Sequence, residues 1–343
     1  MLFINILMQL NQIEDLLIEA TSYCNASCPM CPWVLDNGQI NPTMPIAHLT
    51  LATITKSIDK TKLTNLKRII FEGDHGDAVM NPDLLSIIKF FDFVPEIVIV
   101  TNGSIQTTKW WTKLGQLPNV TVIWSIDGLA DTNHLYRVGV DFDKIVNNAT
   151  AYINAGGTAI WKCILFKHNQ HQIIDLFKYS KQLNFKAIKF EYPLEERFTI
   201  QDSPITKYPV YILNNYSYSI ELPDIKVPGL LLHDRSYKLR YGLLDINNID
   251  LKCKWANKGR IYISFLGEVV PCCMVSGKLG TNFKGQGETN QKFFTIASDT
   301  TTSLSLHYHS LEEILLSKFY SSELEQSLND TTTMLPECAQ YCF

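Results

Sequence analysis

A block of positive charge is missing from this chain. Its 30 lysines and arginines are outnumbered by 34 aspartates and glutamates, a net charge of −4, and no stretch gathers the basic residues together. Nucleic-acid binding as a main role needs a positive footprint, so its absence argues against that class. Long hydrophobic runs are missing as well: none approaches the roughly 20 residues of a membrane span. The apolar start, Met1 to Met8, has no Lys or Arg before it and makes a poor signal peptide. Neither an internal repeat nor a low-complexity tract is present. A chain without an export signal is expected in the reducing cytoplasm, where cysteines serve metals or redox chemistry more than disulfides. The cysteines number nine, an odd count that fits a complete disulfide set badly. With 46% apolar and only 19% charged residues, the chain can bury the core of one large domain or two.

What is present is a run of three cysteines, Cys24, Cys28 and Cys31, spaced Cys-x3-Cys-x2-Cys. Three thiolates on one short loop can hold three irons of a [4Fe–4S] cluster and leave the fourth open to a substrate or cofactor. A structural zinc site would close its shell with a fourth ligand, and the nearest histidine is His48. Buried free thiols, a zinc knuckle and half of a disulfide framework are the other readings of the spacing.

Around this run, short β-branched segments alternate with segments of helical period. The expected strands are Leu16–Ala20, Lys67–Phe71, Glu96–Thr101, Val120–Ile126, Ala159–Phe166 and Lys186–Glu191. The expected helices are Ile46–Lys60, Asp83–Phe93, Thr107–Leu114, Asp141–Ala155 and His171–Leu183. Such alternation predicts a parallel α/β fold, here a partial (β/α)6 barrel. In parallel barrels the site lies at the C-terminal strand ends. Cys24–Cys31, Gly73–Asp77, Asn102-Gly103 and Asp127-Gly128 all fall there, the Asn-Gly pair reading as a plain turn. Glu72, Glu191 and Tyr192 stand at strand ends and could face the cavity. The core is expected over 1–198. From Thr199 to Asp250, prolines and tyrosines with little periodicity suggest an irregular connector, and a small α+β C-terminal unit over 251–343 follows. Residues Ile261 to Phe265 alternate and precede Leu266-Gly267, which reads as a hairpin. Cys163 sits mid-strand and reads as core. With about fourteen residues before the first strand, no fused peptide-recognition domain is expected there.

At these residues the chain resembles the radical S-adenosylmethionine (radical SAM) enzymes. The cysteine run is similar to that family's cluster motif, with Met30 where an aromatic usually stands. His75-Gly76-Asp77-Ala78 resembles the family's Gly-Gly-Glu-Pro segment, which contacts the amino group of S-adenosylmethionine. Ser125-Ile126-Asp127-Gly128 resembles the segment that binds the ribose hydroxyls, Arg137 an Arg that pairs with the methionine carboxylate, and Asn169 lies where the family packs the adenine. The resemblance therefore implies Gly76, Asp77, Ser125, Asp127, Arg137 and Asn169 as cofactor contacts. Cys253, then Gly267-x4-Cys272, and Cys338-x3-Cys342 are similar to the auxiliary-cluster domains called SPASM and twitch. They imply one auxiliary iron–sulfur cluster on Cys253, Cys272, Cys338 and Cys342, with Cys273 as an alternative ligand and zinc as an alternative metal. The implied activity is one-electron cleavage of S-adenosylmethionine to a 5′-deoxyadenosyl radical that takes hydrogen from a peptide or small metabolite. The implied electron donor is a reducing protein such as flavodoxin or ferredoxin. A non-enzymatic iron–sulfur or zinc-binding module is the competing class.

Overall fold

The computed structural model describes residues 8–42, 44–73, 75–193, 199–200, 203–212, 214–225, 255, 259–272 and 304–324. The parallel strands come first in the chain: β1 (Asp15–Ile18), β2 (Arg68–Phe71), β3 (Glu96–Thr101), β4 (Val120–Ser125), β5 (Thr158–Ile164) and β6 (Ala187–Glu191). They neighbour one another in chain order, all parallel, with helices between them. These are α1 (Leu51–Ser57), α2 (Leu84–Phe90), α3 (Thr108–Gly115), α4 (Asn133–Tyr136), α5 (Phe142–Asn154) and α6 (Ile173–Gln182). The partial (β/α)6 barrel expected from the alternation is the fold found. Among the described residues the sheet stays open, with β6 as one edge.

Side chains of the strands sort by alternation. Trp124, Trp161 and Cys163 point to the helix layer and are fully buried. There Trp111 of α3 packs on Trp124 at 4.5 Å, and Trp161 meets Phe185 at 5.2 Å. Ile145, Ala149 and Tyr152 line the buried face of α5, whose start is capped by Asp141 accepting the Lys144 N–H at 3.1 Å. Cys163 is thus a core residue, and burial pushes its thiol far up.

Three expectations need correction. The helix expected over Ile46–Lys60 is only Leu51–Ser57. The preceding residues are extended because Ala47 and Leu49 bond the backbone of Ser22 and Ala20, and Thr50 caps the helix. At its other end, Asp59 caps a separate 3-10 turn. Strand β5 stops at Ile164 because the chain turns at Asn169, whose Oδ1 accepts the Phe166 N–H at 2.8 Å. Inside the stretch read as irregular, β9 (Lys207–Ile212) and β10 (Asn215–Glu221) pair as an antiparallel hairpin, turning at Asn214 with φ +67°. Two shorter strands, β7 (Thr199–Ile200) and β8 (Ser203–Pro204), pair before it.

The alternating segment near the C-terminus does form a hairpin, β11 (Arg260–Ile263) and β12 (Val269–Val270). It joins the main sheet: β11 runs parallel to β1 on the side away from β2. At one end Asp15 accepts from Arg68 and Arg260, each at 2.8 Å. Burial opposes the Asp15 charge, and the two guanidinium groups outweigh it and hold its pKa low. Helix α7 (Leu311–Leu315) packs its buried Leu311, Ile314 and Leu315 into the same core. Among the described residues no helix is long and apolar enough to cross a membrane.

Candidate active site at the C-terminal strand ends

The cysteine loop leaves β1 through Glu19–Tyr23. Thr21 Oγ1 lies 2.8 Å from His48 Nδ1, and Tyr23 stacks on the His48 ring at 4.5 Å. The loop is then fastened to neighbouring strand ends. Asn25 donates to Ser104 Oγ at 2.7 Å and accepts from Asn102 Nδ2 at 2.9 Å; the Ser27 N–H bonds the Val138 carbonyl at 2.8 Å. Met30 takes a positive φ of +64°, and the Cys31 N–H returns to the Cys28 carbonyl at 3.2 Å. Asn102, which reads as a turn residue, does make that turn: its Oδ1 accepts from Ser104 N at 2.9 Å. It also holds the cysteine loop, and its Nδ2 comes within 3.9 Å of Cys24 Sγ.

The three cysteines share one apolar cluster with Ala26, Met30, Tyr136, Ile164 and Phe166. Tyr208, Val210 and Ile220 of the β9–β10 hairpin close over that cluster. Tyr208 donates to Asp36 at 2.9 Å and Tyr218 to the Leu135 carbonyl at 2.9 Å, fixing the hairpin to the mouth. A side chain at Gly38 would strike the Tyr211 carbonyl of the same hairpin.

Beside Cys28 lies a buried ion pair. Arg137 Nε donates to Asp127 Oδ2 at 2.6 Å, and its Nη1 is 3.9 Å from Cys28 Sγ. Burial opposes the Arg137 charge, but Asp127 and then Cys28 hold its pKa above the ordinary value. Asp127 Oδ1 accepts the Ile164 N–H at 2.6 Å. Both Asp127 oxygens are therefore engaged by the protein, where the resemblance implied a ribose contact. Asn169 is similarly committed: its amide donates to the Asp127 and Ile164 carbonyls, each at 2.9 Å. Asp77 accepts from Thr101 Oγ1 at 3.0 Å, Asn102 N at 2.8 Å and Val79 N at 3.2 Å. Burial raises its pKa, the donors pulling the other way. These residues position the loops. Gly76 lies against the Thr21–Ser22 backbone, so closely that a Cβ would collide there. Ser125 is buried at the end of β4.

A second buried group escapes sequence reasoning. Glu19 follows β1 and is fully buried. Its Oε1 accepts the His75 N–H at 2.7 Å and lies 3.0 Å from His75 Nδ1; its Oε2 accepts from Tyr262 at 2.8 Å. It thus joins β1, the 73–77 loop and β11. Its partners lie too far along the chain for local pattern to find them. Tyr192 packs away with its hydroxyl on the Ile225 carbonyl at 3.2 Å, while Glu191 stays half-exposed.

His168 stacks on Phe166 at 5.3 Å, and its buried Nε2 has no hydrogen-bond partner among the described residues. Burial lowers its pKa to about 4. Between that value and the unfolded one of about 6.5, the unfolded chain binds a proton that the folded one does not. Stability should therefore fall as pH drops through this window. Urea midpoints at pH 4.5 and 6.5 should show a smaller fall for His168→Phe, and an unchanged slope would refute the assignment.

Among the described residues no three His, Cys, Asp or Glu side chains are already arranged to hold a metal ion. The donor chemistry of the loop nevertheless fits an iron–sulfur cluster. Burial pushes the Cys24 thiol up and the Cys28 thiol up to about 11. A bound cluster reverses that preference, because the ligand form is the thiolate. Of the cysteines read as auxiliary ligands, Cys272 is half-buried just past β12. Cys253, Cys273, Cys338 and Cys342 lie outside the described residues.

No family model and no curated protein matches the sequence. Solved structures do. Streptococcus suis SuiB bound to precursor peptide SuiA superposes with a TM-score of 0.53 at 13% identity, over 90% of this chain and 66% of that one. SuiB bound to S-adenosylmethionine gives 0.51 at 13% identity, over 94% and 75%. Native anSMEcpe with bound AdoMet gives 0.50 at 17% identity, over 95% and 99%. At such identities the likeness speaks to the backbone architecture alone: the chain shares with these structures a partial (β/α)6 barrel fold.

Proposed function

We propose that the chain is a radical SAM enzyme acting on a peptide or small metabolite, with Cys24, Cys28 and Cys31 as ligands of a [4Fe–4S] cluster. The observation that carries this reading is the three-thiol loop at the C-terminal strand ends, walled by the buried Arg137–Asp127 pair. When bound, the cluster supplies the electron that cleaves the sulfonium of S-adenosylmethionine to give the hydrogen-abstracting radical.

The protein's own part is positioning and exclusion of water. Arg137 places a fixed positive charge beside Cys28 and suits a cofactor carboxylate; Asp127 sets its orientation. Gly76 lets backbone approach the mouth closely, and Ser125 offers a hydroxyl on the inner face. The β9–β10 hairpin shields the cysteines from solvent. A flavodoxin or ferredoxin is the electron donor in this reading. The peptide bound to SuiB in the fold neighbour supports a peptide as substrate.

In the same reading, Cys253, Cys272, Cys338 and Cys342 hold one auxiliary cluster. Strand β12 runs back against β11, so Cys272 follows a strand leading away from the mouth. That direction supports electron transfer or structure over substrate binding. Anaerobic reconstitution tests the whole proposal. Two clusters would give about eight irons per chain, and a Cys24→Ala/Cys28→Ala/Cys31→Ala variant should retain about four. The variant should release no 5′-deoxyadenosine with dithionite and S-adenosylmethionine, while the wild type does. Zinc in place of iron, or no cleavage by the wild type, overturns it.

A further inference from the structure

The inner face of the sheet carries two lysines that no cofactor role uses, in one row with Ser125. Strand register places Ser125 of β4 opposite Lys162 of β5, and Lys162 opposite Lys189 of β6. Alternation sends all three to the face away from the helices, since Trp124, Trp161 and Cys163 fill the helix side. Two residues beyond Lys162 on the same face is Ile164, which packs in the cysteine-loop cluster. Lys162 therefore lies one strand repeat, about 6.6 Å, below that cluster.

Two like charges directly opposite on adjacent strands destabilise a sheet. A lysine on an exposed edge strand has a ready role in blocking edge-to-edge pairing, and that accounts for Lys189. It does not account for Lys162, which sits on an interior strand with only 26% of its side chain exposed. Glu191 approaches Lys162 no nearer than 3.9 Å, itself 50% exposed, and gives the pair weak compensation.

We propose that Lys162 and Lys189 form the subsite for an anionic substrate group, a carboxylate. The substrate is then an acidic peptide or a small carboxylate metabolite, its acidic group anchored below the cysteine loop. This deepens the radical SAM reading and rests on it for the word substrate; the anion site itself can be tested apart from that reading.

The probes are a blocked Gly-Glu-Gly-Glu-Gly peptide, its Gln-for-Glu counterpart, and glutarate, titrated calorimetrically into the full-length protein. A charge-assisted contact corresponds to about a tenfold preference. The wild type should bind the Glu peptide or glutarate about tenfold more tightly than the Gln peptide. A preference for the peptide over glutarate assigns an acidic peptide, and the reverse assigns a small carboxylate. Lys162→Gln should lose most of the preference and Lys162→Arg should keep it, with circular dichroism confirming both variants folded. Equal binding of the Glu and Gln peptides and no glutarate binding, or a preference unchanged in Lys162→Gln/Lys189→Gln, overturns the proposal. Release of 5′-deoxyadenosine, measured separately, reports on the radical SAM reading: its absence with the anion preference intact would remove that reading and leave the anion site standing.

Discussion

Replacing Glu19 by alanine should destabilise the protein by about 3–5 kcal/mol, because three buried donors lose their acceptor at once. Those donors are the His75 N–H, the His75 ring and the Tyr262 hydroxyl. Tyr262→Phe removes one donor together with its need, so it should lower stability by only about 1 kcal/mol. Urea midpoints at constant slope are the measurement. A Glu19→Ala loss no larger than that of Tyr262→Phe would show that Glu19 is dispensable as a joint.

The second large effect is expected at Asp127. Its replacement by alanine leaves the buried Arg137 charge without its carboxylate, a loss of about 3–5 kcal/mol. The Arg137 side chain is only 16% exposed and that of Asp127 is not exposed at all, so water compensates little for the lost pairing. Arg137→Met in the same background removes the stranded charge and should restore part of the loss. A double-mutant cycle should return a coupling of about 2 kcal/mol or more. Simple additivity of the two single variants would rule out the pair as a unit.

Local pattern made the barrel legible. Glu96–Thr101 is a strand over the residues that alternation and β-branching indicate, and Asp141 and Gly156 bracket α5 as cap and stop signals do. The long helix before β2 was overextended, because pairing of Ala47 with Ser22 outweighs the helical preference of 46–49. The β9–β10 hairpin hides behind Pro209 and a run of tyrosines, although Asn214-Asn215 marks its turn.

The cysteine run and Arg137 stand out in the sequence because their types carry their chemistry openly, and the fold places Arg137 beside Cys28. The intramolecular bonds of Asp77, Asp127 and Asn169 do not stand out there. A buried polar side chain can face a ligand or satisfy its own backbone, and the residue type is the same in both cases. Here each satisfies the backbone or a neighbour, and the mouth keeps its shape through them. Glu19 was invisible for the opposite reason: its partners, His75 and Tyr262, lie 56 and 243 residues away.

The place of β11 in the sheet bears on how the chain is made. Strand β1 leaves the ribosome well before β11, the strand 245 residues later that covers one of its two flanks. Until then β1 exposes unpaired amides and carbonyls along an edge that invites wrong partners. Contacts at such separation form late and slowly. The nascent barrel therefore passes through a stage in which six strands are assembled and the seventh is still awaited. During synthesis, that waiting edge is where misassembly and chaperone capture would concentrate.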